Sequence, residues 1–400
     1  MLAEYYGDLH IHIGRTQEGH PVKVTASRTQ TLPCVFEEAV AEKGLHIIGI
    51  VDAACPRLYL ELAGMVEKGD ARELAGGGLR YRDRLTVIPG AEVETTEENG
   101  CHTHWLAFFP SLEMLREFSF FLSKHLTNPE LSTQPCHLPA RVLLREVTAV
   151  GGIFFPAHAF TPHKGVYGQC TRRIKELLGS ECFQSIFVLE LGLSADTDMA
   201  DHLEELANLT FLSNSDAHSL KNIGREFNVF LLEEPSWSEL IKAFKRSGGR
   251  RVVANYGLNP KLGKYHRTFC LSCRRITAEE PPVIACPHCG SEHVVKGVFD
   301  RIAEIGDWPE PRHPEHRPPY NYQVPLSFLP GIGAKTVRKL VDRFGSEIEI
   351  LHRASRRDIV ETVGLKLAEV ILQARAGNVT IRTGGGGTYG KVMGEEYGAV

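Results

Sequence analysis

The sequence predicts an α/β protein: a barrel of roughly 250 residues, then a small cysteine-paired module, then an all-helical one. Three observations carry this. Helical and strand-like segments alternate up to about residue 250, and the strands are apolar nearly throughout, as in a sheet covered on both faces. His, Asp and Glu recur where those strands end. Beyond residue 250 the alternation stops and the charge changes sign, from a balance of −10 over residues 1–249 to +6 over residues 250–400.

The first strand reads DLHIHIG, Asp8 to Gly14. Asp8, His10 and His12 alternate with Leu9, Ile11 and Ile13, so in an extended chain the three polar groups share one face. Burying three titratable groups is costly without compensation, and imidazole and carboxylate are both ligands for a divalent cation. LPCVFEEAVAEKG then has helical periodicity and LHIIGIVDA reads as a strand ending at Asp52. RLTVIPGAEVE and THWLAFF are strands bearing Glu92 and His104. The helix ARVLLREVTAVGG leads to IFFPAHAF, which ends at His158. RRIKELLG leads to SIFVLELG with Glu190, and DHLEELANL leads to TFLSNSDAH with Asp216 and His218. The carboxyl ends of barrel strands form the functional face. One such residue is ordinarily a turn residue, but this many at successive strand ends predict a metal cluster.

The apolar fraction of 42% is that of a globular protein, and no apolar run approaches the roughly 20 residues of a membrane span. The opening MLAEYYGDLHIH has neither a basic region nor an apolar stretch of signal-peptide type. Ten cysteines in a chain this long suggest metal ligands or free thiols in a reducing cytoplasm. A cytoplasmic monomer without membrane contact is expected. The charge segregation suggests a body that attracts cations and an appendage that attracts polyanions.

Domain boundaries follow. Residues 1–249 form the barrel. Residues 250–300 hold a basic connector and two knuckles, Cys270-x2-Cys273 and Cys286-x2-Cys289, whose four thiolates suit one structural zinc ion and leave no open coordination site. Arg267, Arg274 and Arg275 border it, which suits phosphate contact. Residues 301–325 read as a Pro-rich linker. Residues 326–382 are helical and contain LPGIGAKTVRKLVDRFG, a Gly turn (Gly331, Gly333) feeding a helix with Lys335 and Arg338. Backbone N–H groups at such a turn bind phosphate, and a weaker copy follows with Gly364 and Lys366. The pair resembles a tandem helix-hairpin-helix unit, a family that grips DNA backbones without reading sequence. Residues 383–400 read as a Gly-rich tail, flexible unless something docks it.

The ordered set Asp8-Leu-His10-Ile-His12, Asp52, Glu92, His104, His158 and Ser215-Asp216-Ala217-His218 resembles the PHP (polymerase and histidinol phosphatase) family over roughly residues 1–225. That resemblance implies a distorted (β/α)7 barrel with two or three divalent ions (Zn, Mn, Mg or Fe) at its carboxyl face. His10, His12, Asp52, Glu92, His104, His158, Asp216 and His218 would be the ligands, with His102 competing with His104. Asp8 would orient a histidine from behind. The family often has a histidine after the acid of its second strand, whereas this chain reads Asp52-Ala53-Ala54-Cys55, so one metal position is altered, uses Cys55 or is weak. The implied chemistry is phosphoester hydrolysis, with Glu92, Asp52 and Asp216 as the catalytic carboxylates.

The order of the three parts, with the junctions GLNPKLGKYHRTFC and PLSFLPGIG, is similar to the endonuclease Q family over nearly the whole chain. The similarity implies a metal-dependent DNA-repair endonuclease that extrudes a deaminated base (uracil, hypoxanthine or xanthine) or an abasic site and cuts on its 5′ side. The expected partner is damaged DNA held by its backbone, with a replication or repair protein as a further one. The strand-end loop FTPHKGVYG, with Tyr167, is a candidate for reading the base. A small-molecule phosphatase similar to histidinol phosphatase is the alternative.

Overall fold

The computed structural model describes residues 1–393. Seven strands form a ring: β1 (Ala3–Ile11), β2 (Ile47–Ile50), β3 (Leu85–Thr96), β4 (His102–Phe108), β5 (Ile153–Pro156), β6 (Val188–Glu190) and β7 (Thr210–Leu212). β1, β2 and β3 pair in parallel, and so do β6 and β7. β4 runs antiparallel to both of its neighbours, so the barrel is mixed rather than wholly parallel. Two backbone links close the ring. Ala159 N–H donates to Glu190 O (2.9 Å), and Ala217 exchanges bonds of 3.1 Å with His10 O and His12 N–H. Helices such as Pro56–Glu67, Leu112–Ser123 and Ala140–Ala149 cover the outside, each burying a Leu-rich face on one large apolar core.

The sheet extends beyond the ring and moves two of the expected boundaries. β8 (Phe227–Leu232) pairs antiparallel with β1, β9 (Arg251–Gly257) with β8, and β10 (Tyr320–Tyr322) parallel with β9. The connector after residue 249 therefore begins as a strand of the main sheet. Residues 301–325 are not a free linker either. Helix Val298–Ile305 packs on the barrel core, and Arg317 is buried in a bidentate pair with Asp201 (2.7 and 3.0 Å) while stacking on Phe211. Proline-rich composition sets local stiffness, but these apolar and ionic contacts decide where the segment lies.

The helices Ala334–Phe344, Glu347–His352, Arg356–Val363 and Leu365–Arg375 enclose a second core, with glycine turns before the first and the last. The module docks on the barrel through the buried pair Lys43–Glu347 (2.5 Å) and through Ile348, which joins the barrel core. The tail departs from its expected mobility. Residues 380–382 and 391–393 form a two-stranded sheet whose Ile381 and Val392 pack on the second core. Gly384 and Gly390 N–H groups donate to Lys261 O and Leu262 O. The remainder of the expected tail, 394–400, lies outside the described residues. Among the described residues no helix is long and apolar enough to cross a membrane.

Candidate active site

The strand ends converge on one cluster. His10 and His12 are wholly buried, and their Nε2 atoms face each other at 3.3 Å. Glu92 lies 3.5 Å from each of those nitrogens, 3.0 Å from His104 Nδ1 and 3.2 Å from His158 Nε2. Asp216 Oδ1 is 3.5 Å from both His10 Nε2 and His12 Nε2, and 3.4 Å from His218 Nδ1. Three overlapping donor sets result: His10–His12–Glu92, His12–Asp216–His218 and Glu92–His104–His158. His158 and Asp216 sit at φ +30° and +46°, a region that costs non-glycine residues about 1–3 kcal/mol and marks functional sites. Beside His158, Gly192 is at φ +81°, where a Cβ would come within 2.8 Å of the histidine's own Cβ.

Asp52, expected as a ligand and catalytic carboxylate, stands behind the cluster instead. Its Oδ1 is 2.9 Å from His12 Nδ1 and also accepts from the Ser132 hydroxyl, and its Oδ2 accepts from Ile13 N–H at 2.5 Å. Its lone pairs are thus engaged away from the converging donors. Glu190 does the same for His10, with its carboxylate 3.0 Å from Nδ1 and accepting from Asn214 Nδ2 (2.9 Å) and His158 N–H (3.0 Å). The orienting role expected of Asp8 is therefore Glu190's. Asp8 touches no imidazole; it accepts from the backbone N–H groups of Ser215, Gly224 and His10 and so fixes the strand end that bears Asp216.

His104 points at Glu92, whereas His102 faces outward to Glu94 at 3.6 Å. Cys55 joins no donor set; it precedes helix Pro56–Glu67, and burial pushes its thiol well up. Two groups escaped the sequence reading. Lys23 Nζ lies 3.0 Å from Glu92 Oε2, and Thr133 donates to the same oxygen at 2.9 Å. Both sit in loops without periodicity, so no local pattern marked them.

Burial alone would raise Glu92's carboxyl, but His104 and Lys23 hold it well below the usual range. Asp216 is likewise held down against burial by His218 and His10. Burial and the neighbouring His12 press His218 down to about 4. A carboxylate only accepts, so the partners at Nδ1 place the proton there on both His10 and His12. The two Nε2 atoms then face each other and the carboxylates of Glu92 and Asp216, and the surrounding acids raise both imidazoles against burial, so the cluster gathers negative charge that a cation can neutralise. The donor set fits divalent metal.

Comparison with known proteins agrees over the full length. Residues 197–247 match a family described as PHP-associated. The uncharacterized protein YqxK of Bacillus subtilis is 44% identical over 398 residues, 98% of this chain and 100% of its own length. An uncharacterized protein of Methanocaldococcus jannaschii is 42% identical over 224 residues, 51% of this chain and 28% of its own. The crystal structure of the lesion-specific endonuclease PfuEndoQ from Pyrococcus furiosus matches at a TM-score of 0.83 and 32% identity, covering 98% of this chain and 96% of that one. An endonuclease Q complex with a 27-mer duplex substrate, an abasic lesion at the active site, matches at 0.84 and 33%, covering 98% and 97%. This chain belongs to the endonuclease Q family.

The cluster lines a cavity of about 470 Å³ together with Lys23 (paired to Glu92), Lys164 (paired to Glu94 at 2.7 Å) and Lys264. Tyr167 does not reach it: the side chain is fully buried, stacked on Phe160 and bonded to Glu205, because the loop turns its ring into the core. In the cysteine module the four thiols converge, with Cys270–Cys289 and Cys273–Cys286 sulfurs 3.7 and 3.6 Å apart. Tetrahedral Zn–S bonds of about 2.3 Å require S···S spacings of about 3.8 Å, so the set fits one zinc ion. Arg274 and Arg275 are exposed, but Arg267 is committed to Asp300 (3.2 Å), Glu279 O and the Phe299 ring. Gly331, Gly333, Lys335, Gly364 and Lys366 are exposed on the helical module. Arg338 is exposed too, yet it pairs with Glu42 of the barrel (2.7 Å) and with Asp342. Its guanidinium ties the two bodies together.

Proposed function

We propose that this chain is a DNA-repair endonuclease that hydrolyses the phosphodiester 5′ of a deaminated base (uracil, hypoxanthine or xanthine) or of an abasic site. The carrying observation is the coincidence of a three-set metal donor cluster lining a cavity with full-length similarity to an endonuclease Q that holds an abasic duplex at its active site. His10, His12, Glu92, His104, His158, Asp216 and His218 would hold two or three divalent ions, His12 and Glu92 being shared between sets. When bound, such ions acidify water and neutralise phosphate oxygens.

The chain's own groups do the rest. Glu190 keeps His10, and Asp52 keeps His12, protonated at Nδ1 and aimed inward. Asp216, whose side chain is partly exposed beside the histidine pair, would accept a hydrogen bond from the attacking water. Lys264, which lines the cavity with no acid paired to it among the described residues, would favour an anionic strand there, while Lys23 and Lys164 offset the charge of Glu92 and Glu94. Exposed Gly331, Gly333, Lys335, Gly364, Lys366, Arg274 and Arg275 would hold flanking phosphates without reading sequence.

The test uses end-labelled duplexes, undamaged or with one uracil, hypoxanthine or abasic site, incubated with Mg²⁺ or Mn²⁺ and run beside size markers. A lesion-dependent nick on the 5′ side, absent in Asp216→Ala, is the expected result. Hydrolysis of small phosphomonoesters with every duplex left intact would replace this reading with a phosphatase.

A further inference from the structure

One wall of the cavity comes from outside the barrel. Tyr389, in the Gly-rich segment after the helical module, lines it together with Glu92, His158, Asp216 and His218. The segment is built to hold that ring in place. A Cβ on Gly384 would lie 2.3 Å from Gly263 O, one on Gly390 2.5 Å from Lys261 O, and one on Gly386 (φ +58°) 2.6 Å from the Phe269 ring. These glycines serve close backbone packing, and residues 383–390 clasp the strip 261–267.

The ring itself is oriented from two sides. Arg225 donates to the Tyr389 hydroxyl at 2.9 Å and, through Nε, to Ser215 O at 2.8 Å, so the tyrosine is tied to the strand end that carries Asp216. Lys264 Nζ stands 4.7 Å from the ring centroid, and among the described residues no acid pairs with it. Tyr265 and His163, packed edge to face at 5.1 Å, line the same cavity. A nucleotide taken out of a duplex is held by stacking on aromatic side chains while its phosphates meet cations. Tyr389 is half-buried and lines the cavity beside the metal donors, with the Arg225 guanidinium 5.5 Å and Lys264 Nζ 4.7 Å from its ring centroid, whereas Tyr167 is bound in the core.

We propose that Tyr389, delivered by the C-terminal clasp, is a specificity-determining contact of this site that stacks on the base of the extruded nucleotide. The inference rests on the nuclease reading above. Because an abasic site has no base to stack, it separates a base contact from a structural role. Tyr389→Ala, Tyr389→Leu and Tyr389→Phe are made in the full chain. Single-turnover cleavage is measured against enzyme concentration on duplexes with uracil, hypoxanthine or an abasic site. Base–aromatic stacking of about 1–3 kcal/mol corresponds to about a 5- to 150-fold rise in half-saturating concentration on uracil and hypoxanthine for the Ala and Leu variants. The abasic duplex stays within about threefold of wild type, and Phe restores base-containing substrates.

Leu keeps the bulk that Ala removes, so a folding defect in the first variant leaves the second informative. Equal losses on base-containing and abasic duplexes, or no loss on either, overturn the assignment while the nuclease reading stands. If wild type itself cuts no lesion, both fall together.

Discussion

Asp52→Asn separates an orienting carboxylate from a ligand. Asp52 Oδ1 faces the His12 Nδ1 proton at 2.9 Å and Oδ2 accepts from Ile13 N–H at 2.5 Å, so both sides of the carboxylate meet donors. An asparagine must turn its NH2 toward one of them, leaving a buried donor unmatched, a penalty of about 1–3 kcal/mol. The side chain keeps its shape, and the metal donors on the far side of His12 are untouched. Loosening an orienter of this kind lowers metal affinity by about 10- to 100-fold, or about 1.4–2.7 kcal/mol, which is the same range. Metal titration with elemental analysis is the assay. Asp52→Asn should need more metal to fill but bind as many ions as wild type at saturation, whereas His12→Ala should bind fewer at any concentration. A missing ion in saturated Asp52→Asn, or an unchanged affinity, would refute the reasoning and return Asp52 to the ligands.

Three further outcomes are expected. Burial raises Glu226 from 4.5 to about 8, so stability from its neutral form is complete below pH 4.5 and is lost as pH rises through about 8, on the order of 5 kcal/mol in all. Glu226→Gln copies the neutral form, bonded to Ser213 and Leu258 N–H, and urea midpoints should show its advantage over wild type growing from pH 5 to 8; a constant difference contradicts this. Cys289→Ser should lower zinc content by one ion and speed amide exchange over residues 269–295 without affecting the barrel strands, because that module has only two two-residue strands of its own. Lys335→Ala with Lys366→Ala should reduce the salt dependence of DNA binding by up to about 2 in log–log slope and leave the lesion-to-undamaged cleavage ratio unchanged; an unchanged slope places the phosphates elsewhere.

The sequence by itself determined what depends on local repetition. Alternation in DLHIHIG put His10 and His12 on one face, apolar runs ending in His or acid located the strand ends, paired knuckles grouped the four cysteines, and glycines before Lys335 and Lys366 marked the turns. Only the tertiary structure decided what each charged group does with its lone pairs and protons. Glu190 ends β6 and Asp52 follows β2, and both look as able to bind metal as Glu92, but Asn214 and His158 N–H in the first case and Ile13 N–H and Ser132 in the second draw their oxygens away from the cluster. Arg267 and Arg338 look like phosphate ligands until Asp300 and Glu42 arrive beside them. Tyr167 and Tyr389 exchange places for the same reason. A ring's neighbours are set by packing between segments as far apart as Arg225 and Tyr389, and no spacing along the chain encodes that distance.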